Sequence, residues 1–294
     1  MEASPVAQRL FLRLDEDPVQ GPESGTPAAS LRTLPLPAAL RPFVAQMLLY
    51  RETFAPGHEV VERVIPDGAV RLVVHWGDAP AAGPDARRTL LAIGPSTTPA
   101  VLRLSGRMAG LAITLRHGAA AALLGLPVGE IAGLALPLQS LWPRDNAEAL
   151  SALADLEDDA SRVRLVQQAL LQRLRHASVA EPRPAVHALR LLMQAGGRLP
   201  VPALAAEVGL GERRLQQLFD AQFGLSPRRW SRLSRLHRCL RELRAQPQRS
   251  WAEVALDGGF FDQSHLANEF RALCGCTPAE YRRLAVSESS KTAG

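Results

Sequence analysis

The chain has 294 residues, 47% of them hydrophobic and 21% charged, with a net charge of +5. That length accommodates two domains, and no apolar run approaches the ~18 residues that a membrane-spanning helix needs. Three cysteines, Cys239, Cys274 and Cys276, make no even disulfide framework and fit a reduced, cytoplasmic compartment. The first stretch, MEASPVAQRLFLRLDEDP, interrupts its apolar run with Arg13 and Asp15, so it is not expected to act as a secretory signal.

Residues 1–30 are rich in Pro, Ser and Gly and are expected to be poorly ordered. From Phe43 to Leu115, short aliphatic and β-branched runs alternate with turn signals: VVERVI (60–65), AVRLVVHW (69–76), TLLAIG (89–94), AVLRLS (100–105) and GLAITL (110–115). Pro66-Asp67-Gly68 marks a turn between the first two. Short strands at near-regular spacing predict a small β-barrel or sandwich. Helical periodicity follows at 119–124, 128–132, 147–156 and 160–176. In the last segment Val163, Val166, Leu170 and Leu174 form one apolar stripe, suited to the barrel or to a second subunit. Residues 177–184 (ASVAEPRP) read as a linker.

From 185 to 285 only helices are expected, and the charge changes with them. This segment carries +6, while the remainder of the chain carries −1. A basic, helical third beside a neutral remainder points to a polyanion partner for that third. The segment also repeats. Leu204-Ala205, Gly209-Leu210, Leu215, Phe219, Gly224 and Ser226-Pro227 recur as Val254-Ala255, Gly259-Phe260, Leu266, Phe270, Gly275 and Thr277-Pro278. Each copy encodes a short helix, a turn and a second helix. Gly209 and Gly259 stand where a helix must end, and Asp262 stands where a carboxylate caps the next one. That is the pattern of a helix-turn-helix, whose second helix enters the major groove. The stretch 228–244 joins the copies as a helix, with Trp230, Leu233, Leu236, Leu240 and Leu243 on one stripe. At ~1.5 Å per residue it spans roughly 25 Å, against about 34 Å between major-groove faces on one side of DNA. Arginines near its ends are candidates for phosphate contact, with those in the middle solvated. The tail, 286–294, is polar and reads as frayed.

The motifs LAAEVGLGERRLQQLFDAQFGLSPRRW and VALDGGFFDQSHLANEFRALCGCTPAEYRR make residues 185–285 resemble the DNA-binding domain of AraC/XylS-type transcriptional regulators. The resemblance implies seven helices with two helix-turn-helix units on a long connector. The expected architecture is therefore α+β in two domains: an N-terminal small β-barrel or sandwich with helices over 31–176, and a C-terminal all-α, homeodomain-like double helix-turn-helix. IPDGAVRLVVHW, GPSTTP and LPLQSLW resemble a less-characterised N-terminal domain that some such regulators carry, for sensing or dimerisation. The chain departs from the family pattern at His117-Gly118, at Leu266, and at Gly211, where Ser is usual and a weaker cap follows.

By the same resemblance, base-contacting positions map to Arg213, Gln216 and Gln217 in the first reading helix, and to Gln263, Ser264, His265 and Asn268 in the second. Arg donates twice to guanine, and Gln or Asn pairs with adenine. Glu212, Arg214, Arg229 and Arg282 map to positioning or backbone neighbours. The implied partner is double-stranded promoter DNA. A small-molecule effector, RNA polymerase and a second copy of the chain are the further partners such a regulator takes, with no cofactor.

Other chemistries fit the residues poorly. Cys274, Cys276 and His265 lack a fourth ligand and zinc spacing, so small buried cysteines are the better reading. PGHEVVE (56–62) offers one His, His58, with Glu59 and Glu62, and His75 is the next along the chain; polar residues at a strand end are favoured over a metal site. No G-x-S-x-G elbow, P-loop or dinucleotide fingerprint occurs. Trp76, Trp142, Phe43 and Phe54 are candidates for a pocket wall and better candidates for core. The alternatives to a regulator are a DNA-targeted enzyme and a pure interaction protein, each with its activity in the N-terminal domain.

Overall fold

A computed structural model describes residues 7–12, 26–81, 90–142, 150, 152–175 and 183–289. The N-terminal part is a sandwich of two sheets. Strands β1 (Ala7–Phe11), β4 (Val60–Val64) and β7 (Ala100–Leu104) form a three-stranded sheet in the order β1-β4-β7. Strands β2 (Leu31–Thr33), β3 (Val44–Thr53), β5 (Arg71–His75), β6 (Leu90–Ile93), β8 (Arg107–Leu115) and β9 (Ala135–Pro137) form an antiparallel sheet in the order β2-β3-β8-β5-β6-β9.

Each sheet owes its position to the two-residue alternation of its strands. On the six-stranded sheet, Met47, Leu49, Leu72, Val74, Leu111 and Ile113 enter one core. Helices α1 (Ala120–Leu124) and α2 (Asp159–Arg175) cover that face. The α2 stripe of Val163, Val166 and Leu170 therefore packs on the sheet, and is not left for a second subunit. The intervening residues Leu48, Tyr50, Val73 and Ala112 face the three-stranded sheet across a cavity of about 220 Å³.

Residues 183–289 form seven helices: α3 (Arg183–Gln194), α4 (Val201–Glu207), α5 (Glu212–Phe223), α6 (Pro227–Ala245), α7 (Trp251–Asp257), α8 (Gln263–Cys274) and α9 (Pro278–Ser289). The repeat anchors meet as expected. Leu204, Leu215 and Phe219 of the first copy and Val254, Leu266 and Phe270 of the second lie in one core with Trp230, Leu233, Leu236 and Leu240 of α6.

Three expectations are corrected. The poorly ordered stretch 1–30 contains β1, because Arg9 and Phe11 face the cavity while Leu10 and Leu12 join the core of the helical domain. The Pro- and Ser-rich neighbours concealed a strand with two buried faces. Residues 286–289, read as part of the tail, instead extend α9 to Ser289, with no Gly or Pro among them to stop it. Arg183 and Pro184, read as linker, open α3, a position where the missing Pro N–H costs no helical hydrogen bond. Residues 177–182 lie outside the described residues, as do 147–149 and 151 of the helix expected at 147–156, where Ala152–Asp155 form a 3-10 turn.

The two domains also meet directly. Buried Pro66 and Gly68 of the predicted turn press onto α6, where buried His237 donates from Nε2 to the Pro66 carbonyl at 2.9 Å. His117 meets the Trp230 ring edge-on at 4.8 Å between centroids. Gly68 has φ +76°, and a Cβ there would lie 2.5 Å from Cη2 of Trp230. Gly57 has φ +77° with open space around it. Gly57→Ala is expected to cost about 1 kcal/mol for its backbone alone. Gly68→Ala should cost on the order of 2–3 kcal/mol, since overpacking adds to the same backbone term. Denaturation midpoints of the two variants check this; equal losses would mean that Trp230 does not press on the turn.

Candidate nucleic-acid interface and the N-terminal cavity

Helices α5 and α8 are built on one plan with one difference at the start. Gly209 (φ +67°) and Gly259 (φ +74°) both turn the chain through the left-handed region, as expected. Asp262 then caps α8, accepting the His265 backbone N–H at 2.7 Å. Gly211 stands at the equivalent position before α5 and offers no side chain to cap it. Both helices end on a left-handed glycine, Gly224 and Gly275.

The structure places Arg213, Gln216 and Gln217 on the exposed side of α5, opposite Leu215 and Phe219. Gln263, Ser264 and Asn268 are likewise exposed on α8, opposite Leu266 and Phe270. These side chains present amide and guanidinium groups outward, the groups that pair with base edges. His265 differs. Its Nδ1 accepts the Phe261 backbone N–H at 3.3 Å, and its ring meets Phe260 edge-on at 5.4 Å. It fixes the turn that enters α8, and only its far ring nitrogen is left to face outward.

The flanking arginines divide in the same way. Arg214 and Arg229 are exposed. Arg282 donates to the Arg249 carbonyl at 2.6 Å and lies 4.7 Å over the Trp251 ring, locking α9 onto the start of α7. On the connector α6, the middle arginines are not solvated as expected. Arg232 pairs with Glu269 at 2.7 Å, Arg238 with Glu242 at 2.8 Å, and Arg235 lies 5.3 Å over the Phe260 ring. Arg228 and Arg241 remain exposed.

Cys274 and Cys276 lie in the helical core, and no group of three or more metal-ligating side chains occurs among the described residues. Burial raises the Cys276 thiol to about 11 and the Cys239 thiol to about 12, so both stay protonated at neutral pH.

Residues 204–284 match the family model of a helix-turn-helix domain, and residues 32–137 match a domain of unknown function. Over 78 residues the chain is 32% identical to the virulence regulon transcriptional activator VirF of Yersinia enterocolitica, covering 26% of this chain and 28% of that protein. Over 77 residues it is 31% identical to the HTH-type transcriptional regulator ExsA of Pseudomonas aeruginosa, covering 26% and 27%. Residues 204–284 are thus a helix-turn-helix domain. The chain spans about a quarter of the length of the curated relatives it matches. Among solved structures it is similar to ToxT of Vibrio cholerae, at 10% identity and a TM-score of 0.44 over 87% of this chain and 98% of that one. A second is a transcriptional regulator with an AraC-type DNA-binding domain from Chromobacterium violaceum, at 28% identity and a TM-score of 0.32 over 35% and 93%.

The helix-turn-helix domain rests against an N-terminal domain whose inner face carries polar groups that sequence reading missed. Arg9 donates from Nε to Glu62 at 2.6 Å and from its two terminal nitrogens to Glu52 at 2.9 and 2.8 Å. Tyr50 and His75 are both paired with Gly110 across β8. Because Gly110 has no side chain, the Tyr50 hydroxyl crosses over it and donates to Nδ1 of His75; a Cβ at 110 would overlap that hydroxyl. Arg71 is held by Asp67, whose other contact is the Ala69 N–H. The signal for these groups on β3 was the pair Tyr50 and Glu52, two residues apart and so on one face, which is the cavity face.

The proposed aromatic wall lies elsewhere. Trp142 is buried in the core under the six-stranded sheet, donating to the Leu123 carbonyl at 3.0 Å, with Phe43 and Trp76 packed beside that core. Phe54 and His58 line a shallow outer groove. Of the groups weighed as metal ligands, Glu62 faces Arg9 and His75 faces Tyr50.

Two measurements follow. Asp262→Ala should cost about 1 kcal/mol, and Gly211→Ser, with open space at its Cβ, should gain a few tenths. Denaturant titrations decide; equal and negligible effects would mean that the caps do not contribute. Burial lowers His75 to about 4, so the folded value lies below the unfolded one. Its contribution is present above the ordinary histidine range and is lost as pH falls toward 4, about 3 kcal/mol in all. Thermal stability of His75→Asn should therefore fall less steeply than that of the parent chain between pH 6.5 and 4. Parallel curves would refute this.

Proposed function

We propose that the protein is a transcription regulator that reads promoter DNA through α5 and α8, and whose N-terminal domain adjusts that reading when a small molecule enters the inter-sheet cavity. One observation carries the DNA reading: two copies of one helical unit turn Arg213, Gln216 and Gln217, and Gln263, Ser264 and Asn268, outward from a shared core. The basic balance of 185–285 supplies the long-range attraction to phosphate. Arg214 and Arg229 act in register on the backbone, and Arg282 acts through the placement of α9.

The sensing part rests on the three-stranded sheet, which serves two domains at once. Its inner face closes the cavity, and Leu10, Leu12 and Ile65 on its outer face belong to the core of the AraC-type domain. A ligand that displaces β1 or β4 alters the surface on which the helices sit. This route replaces a mechanism through the linker alone. No catalytic step enters this reading, and a cytoplasmic location beside the chromosome goes with it. RNA polymerase and a second copy of the chain belong to it as partners of the DNA-bound state.

Selection of genomic fragments at about 150 mM salt tests the reading, since affinity without stated salt is uninterpretable. We expect a motif with two half-elements about one helical turn apart. Arg213→Ala should relax one element and Gln263→Ala the other, each by about 1–3 kcal/mol at the contacted base. Binding without sequence preference that vanishes as salt rises would leave only a basic domain.

A further inference from the structure

The cavity between the sheets is small and mostly apolar. At about 220 Å³ it lies below the ~300–1,000 Å³ of pockets for drug-sized ligands. Phe11, Leu48, Val64, Val73 and Leu102 give it apolar walls. Its charged end is unbalanced. Arg9 lies between two carboxylates, Glu62 on its Nε and Glu52 on its terminal nitrogens. All three are largely withdrawn from water, with side-chain exposures of 8%, 10% and 16% for Arg9, Glu62 and Glu52. The other arginine in the wall, Arg71, is already matched by Asp67. Among the described residues, the polar end thus has two carboxylates and one cation to serve them.

We propose that this cavity takes a small, largely apolar organic cation, of the arylalkyl or alkyl amine class, whose ammonium group supplies the positive charge that Arg9 alone does not provide to Glu52 and Glu62. The proposal rests on the reading of the N-terminal domain as a small-molecule sensor and names the chemistry of what it senses. A buried charge is stable only when paired and hydrogen-bonded, so an entering ammonium is stabilised by the surplus carboxylate. A carboxylate ligand would add a second uncompensated negative charge, and neither Arg9 nor Arg71 is uncommitted to receive it. Burial already holds the Glu62 carboxyl above its usual range despite Arg9, and the charge of Glu52 adds to that effect. The empty cavity therefore draws in a proton where the occupied one draws in a cation. The neutral imidazole of His75 and the un-ionised Tyr50 hydroxyl contribute no charge to the opposite wall. Tyr50 and Phe11 also offer aromatic faces to a cation.

Calorimetric titration of the full chain with three probes of one size decides the matter: 2-phenylethylamine, 2-phenylethanol and phenylacetate. The amine should bind saturably, the alcohol more weakly, and the acid least. Glu52→Gln and Glu62→Gln keep the shape of the site and remove one charge each. Each should weaken the amine roughly tenfold or more and leave the alcohol unchanged. Circular dichroism confirms folding, and either folded variant is sufficient. Phenylacetate or phenylethanol binding as tightly as the amine overturns the charge inference while leaving the sensor reading in place. Amine binding that is unchanged in the folded variants overturns it too, because the amine then binds elsewhere. No binding of any probe at millimolar concentration, with no shift in melting temperature, overturns both the inference and the sensor reading.

Discussion

The structure depends on one constraint: the three-stranded sheet is packed on both faces where residues 9–12 of β1 and its extension and 62–65 of β4 and its extension run. In a strand, adjacent side chains point to opposite sides, so a strand buried on both faces must satisfy two environments with one sequence. In β1, Arg9 and Phe11 serve the cavity, while Leu10 and Leu12 serve the helical core. In β4, Glu62 and Val64 serve the cavity, and Ile65 just beyond it serves the helices. Because β1 pairs in parallel with β4, with Leu10 opposite Arg63, a one-residue slip would exchange the two sets. It would put Arg9 into the helical core and Leu10 against Glu52. The ion cluster thus fixes register as well as charge.

From this follows the layered order of the molecule. Helices α1 and α2 cover the six-stranded sheet; then come the cavity, the three-stranded sheet, and the helices of the helix-turn-helix domain. The Pro66–Gly68 turn, continuous with β4, reaches α6 over its N-terminal half and middle, at Trp230 and His237. The helix that joins the two reading units is therefore the helix the N-terminal domain holds. Asp67 shows how tightly the junction is knit. Burial alone would raise its carboxyl, yet Arg71, the Ala69 N–H and His237 together hold it below the usual range. His237 is pushed the other way: burial lowers it, against the pull of the Pro66 carbonyl and of Asp67. Its neutral ring needs only the one donor it directs at Pro66.

What the sequence disclosed, and what it hid, divides along local against non-local causes. The helical domain was legible because its signals are local: left-handed glycines, a cap, and apolar steps of three and four, stated twice. The repeat sets Leu215 and Phe219 inward, opposite exposed Arg213, Gln216 and Gln217. The strands at 60–64, 71–75, 90–93 and 100–104 were legible for the same reason. β1 was not, since its worth comes from partners more than fifty residues away, Val60 to Val64, and its flanks are poor in apolar residues. β3, the longest strand, was not picked out, although it pairs along its length with β8.

The site divides the same way. The outward face of a helix follows from periodicity, so the exposure of Arg213, Gln216, Gln217, Gln263, Ser264 and Asn268 could be expected from sequence. The role of His265 could not, because its partner is the backbone of a turn rather than another motif residue. The cavity's polar groups were invisible as a set. Arg9, Glu52 and Glu62 lie on three strands of two different sheets, and only the closing of the sandwich brings them together. That separation gives the device its reach. A charge entering between Glu52 and Glu62 acts on both sheets at once, and the thinner sheet is the one that carries the helices. On the proposed reading, a ligand in the cavity bears on β1 and β4, whose inner residues line it. Those strands have no slack on their outer side, where Leu10, Leu12 and Ile65 are already closed into the core beneath α6.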